Sequence, residues 1–380
     1  MHVTESHEAR AGGIPVVVDH LARHGVQMGL DVEILSVGRD PLPPPVGASL
    51  TNVRPQAVGR VWGWSIPLGD KVRSVMKADG PPLLHLHGAW LAPQWYAARA
   101  ARKAGVPFVL SLHGQLEPYH WSDKGRLHMV KKKIYWNSIA YPALRRASAV
   151  HAITPLEKAH LQALFPDQRI ELIPNAVDLD EIDAALRSAG SPTTTRGPIV
   201  GFLGRLHPKK GAHLLIEAFS IATLPREWQL VLAGPPGEPS YMTELARLVA
   251  RSGKKEQIRF VGPRMGVDKW CFYRSAAVVA VPSLSEVIGL VNLEAAACCT
   301  PTITTYDTGL LDWEAGGGIL INPRVRELAE ALNFLCLGNT TEWQRRSLAA
   351  RRLVERQYSW ARVRQLWLNL YRSVLSTQGR

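Results

Sequence analysis

The feature that most constrains this chain is an alternation of short apolar runs with helical patterns that stops once and then starts again. Val32–Val37, Pro82–His87, Phe108–His113, Ala149–Ile153 and Ile170–Ile173 read as strands, with helical patterns such as Pro15–Met28 and Trp95–Ala104 between them. Parallel strands need a crossover to reach one another, so this order predicts a parallel sheet covered by helices on both faces. The alternation breaks at Ser188–Gly197, a small, polar stretch with Pro and Gly. It restarts with Ile199–Leu203, Gln229–Ala233, Ile258–Val261, Ala277–Val281, Thr302–Thr305 and Gly318–Ile321. Two doubly wound α/β domains in tandem are therefore expected, over residues 1–187 and 198–355, with 188–197 as linker or loop. Sheets of this kind bind ligands beyond the carboxyl ends of their strands, so the two domains are expected to face a cleft.

Composition agrees. The chain has 380 residues, 46% hydrophobic and 20% charged, enough for two packed domains. No run approaches the roughly 18 apolar residues of a membrane span. Met1–Arg10 carries Glu5 and Glu8 without an apolar core, so a secretory leader is not expected. The four cysteines, with Cys298 and Cys299 adjacent, make neither a disulfide framework nor a metal knuckle, and read as thiols in a reducing cytosol. Lys and Arg exceed Asp and Glu by 45 to 32, a net +13, which implies an anionic partner: nucleic acid, a membrane surface or a phosphorylated substrate.

Two segments carry chemistry. In Gly201–Gly211 an apolar strand runs into Gly204, then Arg205, then Pro208 placed to open a helix, then Lys210. A strand-to-helix turn presents free N–H groups, and Arg205 and Lys210 add a planar fork and a mobile charge for one diphosphate. In Pro282–Ala297 a strand ends, a short loop follows, and a helix is expected to start near Gly289. The N–H groups of Ile288, Gly289, Leu290 and Val291 are helix-start donors suited to an anion. Glu286 before the helix and Glu294 within it each suit a sugar diol. Two carboxylates flanking phosphate-binding amides fit a nucleotide sugar.

This combination resembles the group 1, or family 4, retaining glycosyltransferases of the GT-B fold, along nearly the whole chain. Gly204-Arg205 with Lys210-Gly211 looks like the family's diphosphate motif, and Glu286 and Glu294 match its two glutamates. Ile173–Asp178 is similar to its entry to the second domain, Leu112-His113-Gly114 to its His-Gly, Gly12-Gly13 to its first glycine loop, and Tyr358-Ser359-Trp360 to the start of its last helix. The resemblance implies an acceptor-binding first domain, a nucleotide-sugar-binding second domain, and a C-terminal helix over 356–380 that packs back on the first domain. It implies that Arg205 and Lys210 neutralise the leaving diphosphate, Glu294 binds the ribose and Glu286 the transferred sugar. His113 and Gly114 would line the reaction centre, and Gly12 and Gly13 would let the first loop approach the donor. No metal or other cofactor is expected. This sequence departs from the family's pattern at Val287-Ile288 after the first glutamate, at Ala176 and Cys299 where glycine is usual, and in a first strand reduced to His2-Val3-Thr4.

Segment 121–136 is basic and amphipathic, with Lys124, Arg126, Lys131, Lys132 and Lys133 beside Met129, Ile134, Tyr135 and Trp136. It reads as a solvated surface helix or as a dock for an anionic membrane surface. The latter suits a lipid-linked or glycan acceptor in polysaccharide or lipopolysaccharide assembly, by an enzyme that is cytoplasmic and peripheral on the membrane. His85, His87, His120 and His128 lack an evident third-ligand pattern, so zinc is not expected. The Trp- and Arg-rich last 40 residues read as closing helices with snorkelling arginines. Three other classes remain open at this point: a glycoside hydrolase, which also uses two carboxylates; a nucleotide-sugar epimerase; and a basic nucleic-acid binder. The last finds no helix-turn-helix, zinc-finger or RRM signature, so no nucleic acid partner is expected.

Overall fold

A computed structural model describes the chain except residues 9–12, 56–61, 64–65, 76–82, 119–120, 122–124, 191–196 and 377–380. The chain divides into two compact units, Met1–Pro174 with Arg364–Arg380, and Asn175–Val363.

The first unit holds β1 (His2–Thr4), β2 (Glu33–Val37), β3 (Ser49–Val53), β4 (Leu84–His87), β5 (Phe108–Ser111), β6 (Ala149–Ala152) and β7 (Ile170–Leu172). They form one parallel sheet in the order β3-β2-β1-β4-β5-β6-β7, which changes direction between β1 and β4. All residues of β4, β5 and β6 are buried, the polar His85, His87, Ser111 and His151 included. The short His2–Thr4 strand is central and pairs on both sides. β3 escapes the sequence reading because it is an edge strand, half exposed, with no apolar run.

Alternation sends the two faces of this sheet to different partners. Val3, Leu84, Leu86 and Leu110 pack with Ala97 and Ala101 of helix Ala92–Ala104 and with Trp136. Ile34 packs with Val18 and Ala22 of helix Gly13–Gln27. The register sets His2 opposite His85, and Ser111 opposite both His87 and His151. Of these, His85 and His151 meet Trp367 and Tyr371 of the last helix, Trp360–Ser376.

The second unit holds β8 (Ile199–Leu203), β9 (Gln229–Ala233), β10 (Ile258–Phe260), β11 (Val278–Val281), β12 (Thr302–Thr305) and β13 (Ile319–Ile321). Their parallel order is β10-β9-β8-β11-β12-β13, with the direction changing between β8 and β11. The boundary expected at 188–197 lies instead after Pro174. Helix Leu179–Ser188, capped by Asp178, packs on helix Gly266–Ser275 of the second unit. Val177 is tied there as well, accepting from Trp360 N at 3.1 Å and donating to Tyr358 O at 2.8 Å. The return to the first unit begins at Arg364, later than the expected 356.

The C-terminal Trp and Arg residues act as closing elements. Trp343, Trp360 and Trp367 are buried, and Trp343 donates to Ala277 O at 2.7 Å. Arg351 grips Asp183 with both terminal nitrogens, and Arg345 and Arg346 bond Glu342. All four cysteines are free.

Candidate functional site

The second unit's expected site residues gather at the change of strand direction, on the loops that leave β8 and β11. This is the position where a doubly wound sheet opens a crevice for ligands. The two loops are locked together. Gly211 has φ 73°, and a Cβ there would meet Pro282 O at 2.1 Å, so only glycine fits. Leu284 N donates to Lys209 O at 2.8 Å. His207 caps the short 3₁₀ turn Pro208–Lys210 by accepting from Lys209 N.

Arg205 stands exposed on the first loop, and its guanidinium donates to no side chain among the described residues. Lys210 is ion-paired with Glu286, whose Oε1 also accepts from Ser283 Oγ at 2.6 Å. Glu286 N donates to Asp307 O, which fixes the loop. Helix Leu290–Ala297 starts after Gly289, as expected. Among the described residues, no backbone carbonyl takes the N–H groups of Ile288, Gly289, Leu290 or Val291. Glu294 accepts from Lys269 Nζ at 2.8 Å and from Tyr273 OH at 2.7 Å. Burial and the neighbouring Glu294 charge push the Tyr273 hydroxyl well up, so it stays a donor. Lys269 Nζ also lies 4.0 Å from the Trp270 ring centroid. Sequence reasoning missed Ser283, Lys269 and Tyr273. Lys269 and Tyr273 sit four apart on one helix face with no motif to mark them.

In the first unit, Gly12 lies outside the described residues. Gly13 opens a helix, and a Cβ there would meet nothing within 4 Å, so nothing among the described residues demands glycine at 13. His113 and Gly114 form a left-handed turn after β5, with φ 50° and 73°. His113 Nε2 is 2.9 Å from His87 Nδ1, and His87 Nε2 is 3.0 Å from His2 Nδ1. His85 bonds Tyr371 OH and Ser111 Oγ, and Ser111 Oγ bonds His151. Burial drives these imidazoles toward neutrality: His2 and His113 fall to about 3 and His151 to about 4, while His85 and His87 fall well below the usual value. Glu157, also missed, accepts from Gly114 N at 2.8 Å and Ile153 N at 2.7 Å. Burial raises its pKa to about 7. The only signal for it was Thr154-Pro155-Leu156-Glu157, a helix-start pattern in which Thr154 caps Glu157 N.

His2, His85 and His87 bring ring nitrogens within 4.8 Å of one another. Both nitrogens of His85, both of His87 and Nδ1 of His2 are already hydrogen-bonded. A neutral imidazole has one lone pair to give. The trio is therefore satisfied as a hydrogen-bond network and would have to break it to ligate a cation. His120 lies outside the described residues.

Residues 11–181 match the family described as Glycosyltransferase Family 4, and residues 187–352 match Glycosyl transferases group 1. The chain belongs to the group 1, family 4 glycosyltransferases. A D-inositol 3-phosphate glycosyltransferase of Mycobacterium sp. (strain KMS) is 36% identical over 163 residues, 41% of this chain and 37% of the relative. One from Corynebacterium urealyticum is 31% identical over 230 residues, 57% of this chain and 52% of the relative. The chain thus spans about a third to a half of the length of these relatives. Among solved structures, sucrose-phosphate synthase from Thermosynechococcus elongatus superposes with TM-score 0.73 at 21% identity, covering 99% of each chain. Anabaena HepE in complex with UDP and glucose also gives 0.73 at 21%, covering 98% of this chain and 99% of that one. These likenesses show the two Rossmann-like domains of the GT-B fold.

The departures from the family's glycines now have a structural reading. Cys299 sits at φ 60°, a left-handed conformation that glycine enters freely and cysteine does not. Ala176 is not in that region and needs no glycine. At the third departure, Val287-Ile288, the Ile288 side chain is buried beside the start of the helix.

No side chain of helix Arg126–Tyr135 is fully buried. Leu127, Val130 and Ile134 share one face and are 71%, 48% and 61% exposed. Arg126, Lys131 and Lys133 are exposed beside them. The expected apolar partners Tyr135 and Trp136 instead face the protein: Tyr135 OH accepts from Trp62 Nε1 at 3.0 Å, and Trp136 is buried. Lys124 lies outside the described residues. Among the described residues, no helix is long and apolar enough to cross a membrane.

Proposed function

We infer that this chain transfers a sugar from a nucleoside-diphosphate sugar to an acceptor hydroxyl, with retention of configuration and without a metal. The observation that carries this reading is the set of groups at the β8/β11 crevice: exposed Arg205, Lys210 paired with Glu286, the free helix-start N–H groups of residues 288–291, and Glu294 held by Lys269 and Tyr273. As the glycosidic bond breaks, negative charge grows on the diphosphate. Fixed cations and aligned N–H groups stabilise that charge without reorganising. Arg205 bonds the diphosphate through its fork, and Lys210 exchanges Glu286 for phosphate. Glu286, released from Lys210, accepts from the transferred sugar. Glu294 has lone pairs left beyond its two present donors and accepts from ribose hydroxyls. The glycosyltransferase family and the UDP complexes of HepE support this donor class.

The acceptor is a lipid-linked glycan of cell-envelope assembly, reached by an enzyme that is cytoplasmic and peripheral on the membrane. The exposed stripe Leu127, Val130 and Ile134, flanked by cations, supports this. A second reading has support in the names of the relatives: a phosphorylated polyol acceptor, as in the D-inositol 3-phosphate enzymes. A thermal-shift screen of UDP, GDP and ADP with their sugars tests the donor, because a ligand of the native state alone raises the midpoint. No shift with any of them defeats the transferase reading. Transfer in the presence of EDTA tests metal independence, and the anomeric configuration of the product tests retention. A parallel assay with vesicle-borne and water-soluble phosphorylated acceptors separates the two acceptor readings.

A further inference from the structure

The His113–Gly114 turn is held in a conformation that costs energy. A non-glycine residue at φ 50° persists only where its surroundings impose it. Two buried groups do so here, from opposite sides. On the side-chain side, His87 lies 2.9 Å from His113 Nε2, its ring stacked at 5.2 Å and 18°. His87 is itself bonded to His2 and fully buried, and Gln94 Nε2 donates to its carbonyl at 2.6 Å. On the main-chain side, Glu157 takes the N–H groups of Gly114 and Ile153 on its two oxygens.

A neutral imidazole carries one N–H and one lone pair. In a row of three rings bonded through both nitrogens of the middle one, all the bonds must therefore run in the same direction. The tautomer of His87 then fixes that of His113, and with it whether His113 Nδ1 donates or accepts. Glu157 contributes differently. A buried carboxyl group is costly to desolvate, and here both of its oxygens are spent on backbone N–H groups, one of them in the turn itself.

We propose that His87 and Glu157 are positioning residues for sugar transfer, holding the His113–Gly114 turn in its left-handed form and fixing which nitrogen of His113 carries the proton. This rests on the transferase reading, in which that turn lines the reaction centre. His87→Phe keeps the ring and removes both nitrogens. His87→Asn restores a polar group near the position of Nδ1. Glu157→Gln turns one amide acceptor into a donor.

The expected result is a kcat about 10- to 10²-fold lower in His87→Phe and in Glu157→Gln, the scale for a small misplacement near the chemistry. The donor KM and the affinity for free nucleoside diphosphate stay near the parent's, because those contacts lie in the second unit. His87→Asn recovers part of the kcat. Imidazole ¹⁵N shifts of His113 report one tautomer in the parent and a mixture in His87→Phe. Parent-like kcat in folded His87→Phe and Glu157→Gln overturns the proposal. If His87→Phe does not fold, parent-like kcat in His87→Asn and Glu157→Gln with an unchanged His113 tautomer overturns it equally. A KM that rises in step with the fall in kcat also overturns it, since general loosening would do that. A parent that binds no nucleoside diphosphate and transfers no sugar defeats the transferase reading and this proposal together. A parent that does both, slowed by His113→Ala but not by the other variants, defeats this proposal alone.

Discussion

Beyond β4 and β5 of the first unit, the polar groups are neutral imidazoles bonded to one another. Beyond β8 and β11 of the second, they are full charges, Arg205 exposed, Lys210 paired with Glu286 and Lys269 with Glu294. The sheets are wound alike, with the direction changing between the first and fourth strands of each. The chemistry at their ends is opposite, and the difference is instructive. A neutral ring network buried in low dielectric fixes geometry and resists change. The Lys210–Glu286 salt bridge, partly exposed, exchanges partners at small cost when a more highly charged anion arrives. One unit is built to hold a shape, the other to receive charge.

The largest expected effect breaks the charged side of this comparison. Arg205→Ala, and separately Lys210→Ala, should lower turnover by about 10²–10³, the scale for losing one electrostatic donor where charge develops. Far-UV circular dichroism should be unchanged, because neither residue is in a core. Normal turnover in a folded variant removes that residue from the machinery.

Next comes the glutamate pair. Glu294→Gln should weaken binding of the nucleoside diphosphate alone by about 1–3 kcal/mol, from losing a charged hydrogen-bond partner. Glu286→Gln should leave that affinity nearly intact and lower transfer. Calorimetric titration of both variants with diphosphate decides this, and an equal loss in the two contradicts the division of roles.

The imidazole side is sharpened by pH. In the unfolded chain histidine titrates near pH 6.5, whereas His2 and His151 in the folded chain titrate at about 3 and about 4. Below pH 6.5 the unfolded state therefore binds more protons, and stability is lost as pH falls toward those folded values. Each ring should cost about 2 kcal/mol by pH 5. Urea midpoints should fall from pH 6.5 to pH 5, the loss from the imidazoles exceeding the gain from Glu157, whose pKa of about 7 adds stability as pH falls. A midpoint that stays level to pH 5 would show that these rings are not held neutral.

The smallest effect concerns Cys299. Cys299→Gly should relieve the left-handed strain at φ 60° and, after glycine's own entropy cost, raise stability by up to ~1 kcal/mol. A lowered thermal midpoint would mean that the cysteine side chain contributes more than the strain costs.

What the sequence revealed follows from what is local. Eleven of the strands were legible as apolar runs, as were the Arg205–Lys210 turn and the Glu286–Glu294 spacing, because each lies within a few residues of chain. β3 was not, because half-exposed Ser49–Val53 lacks the apolar signal of a central strand. The likeness of Ile173–Asp178 to the family's entry to the second domain marked the division after Pro174, whereas the polar stretch 188–197 misplaced it, because helix Leu179–Ser188 looks the same whichever unit it packs on. The partners of the site residues were hidden for a like reason. Lys210 and Glu286 are 76 positions apart, Lys269 and Glu294 are 25 apart, and Gly114 and Glu157 are 43 apart. Each had a plausible solvent-exposed reading until the fold brought it to its partner.

The last helix, described above as a packing element, also sets the order of events in biosynthesis. His85 bonds Tyr371, and Arg169 bonds Ser373, so a sheet begun by residue 2 is finished by residues near 370. During synthesis the ribosome releases the whole of Asn175–Val363 before the first unit receives its closing helix. The second unit can fold as it emerges, since domains generally fold as units. The first must wait, with the β4 and β6 histidines uncovered, until the segment from Arg364 has emerged. A chain cut after Val363, which leaves the second unit whole, would therefore damage the half that was made first.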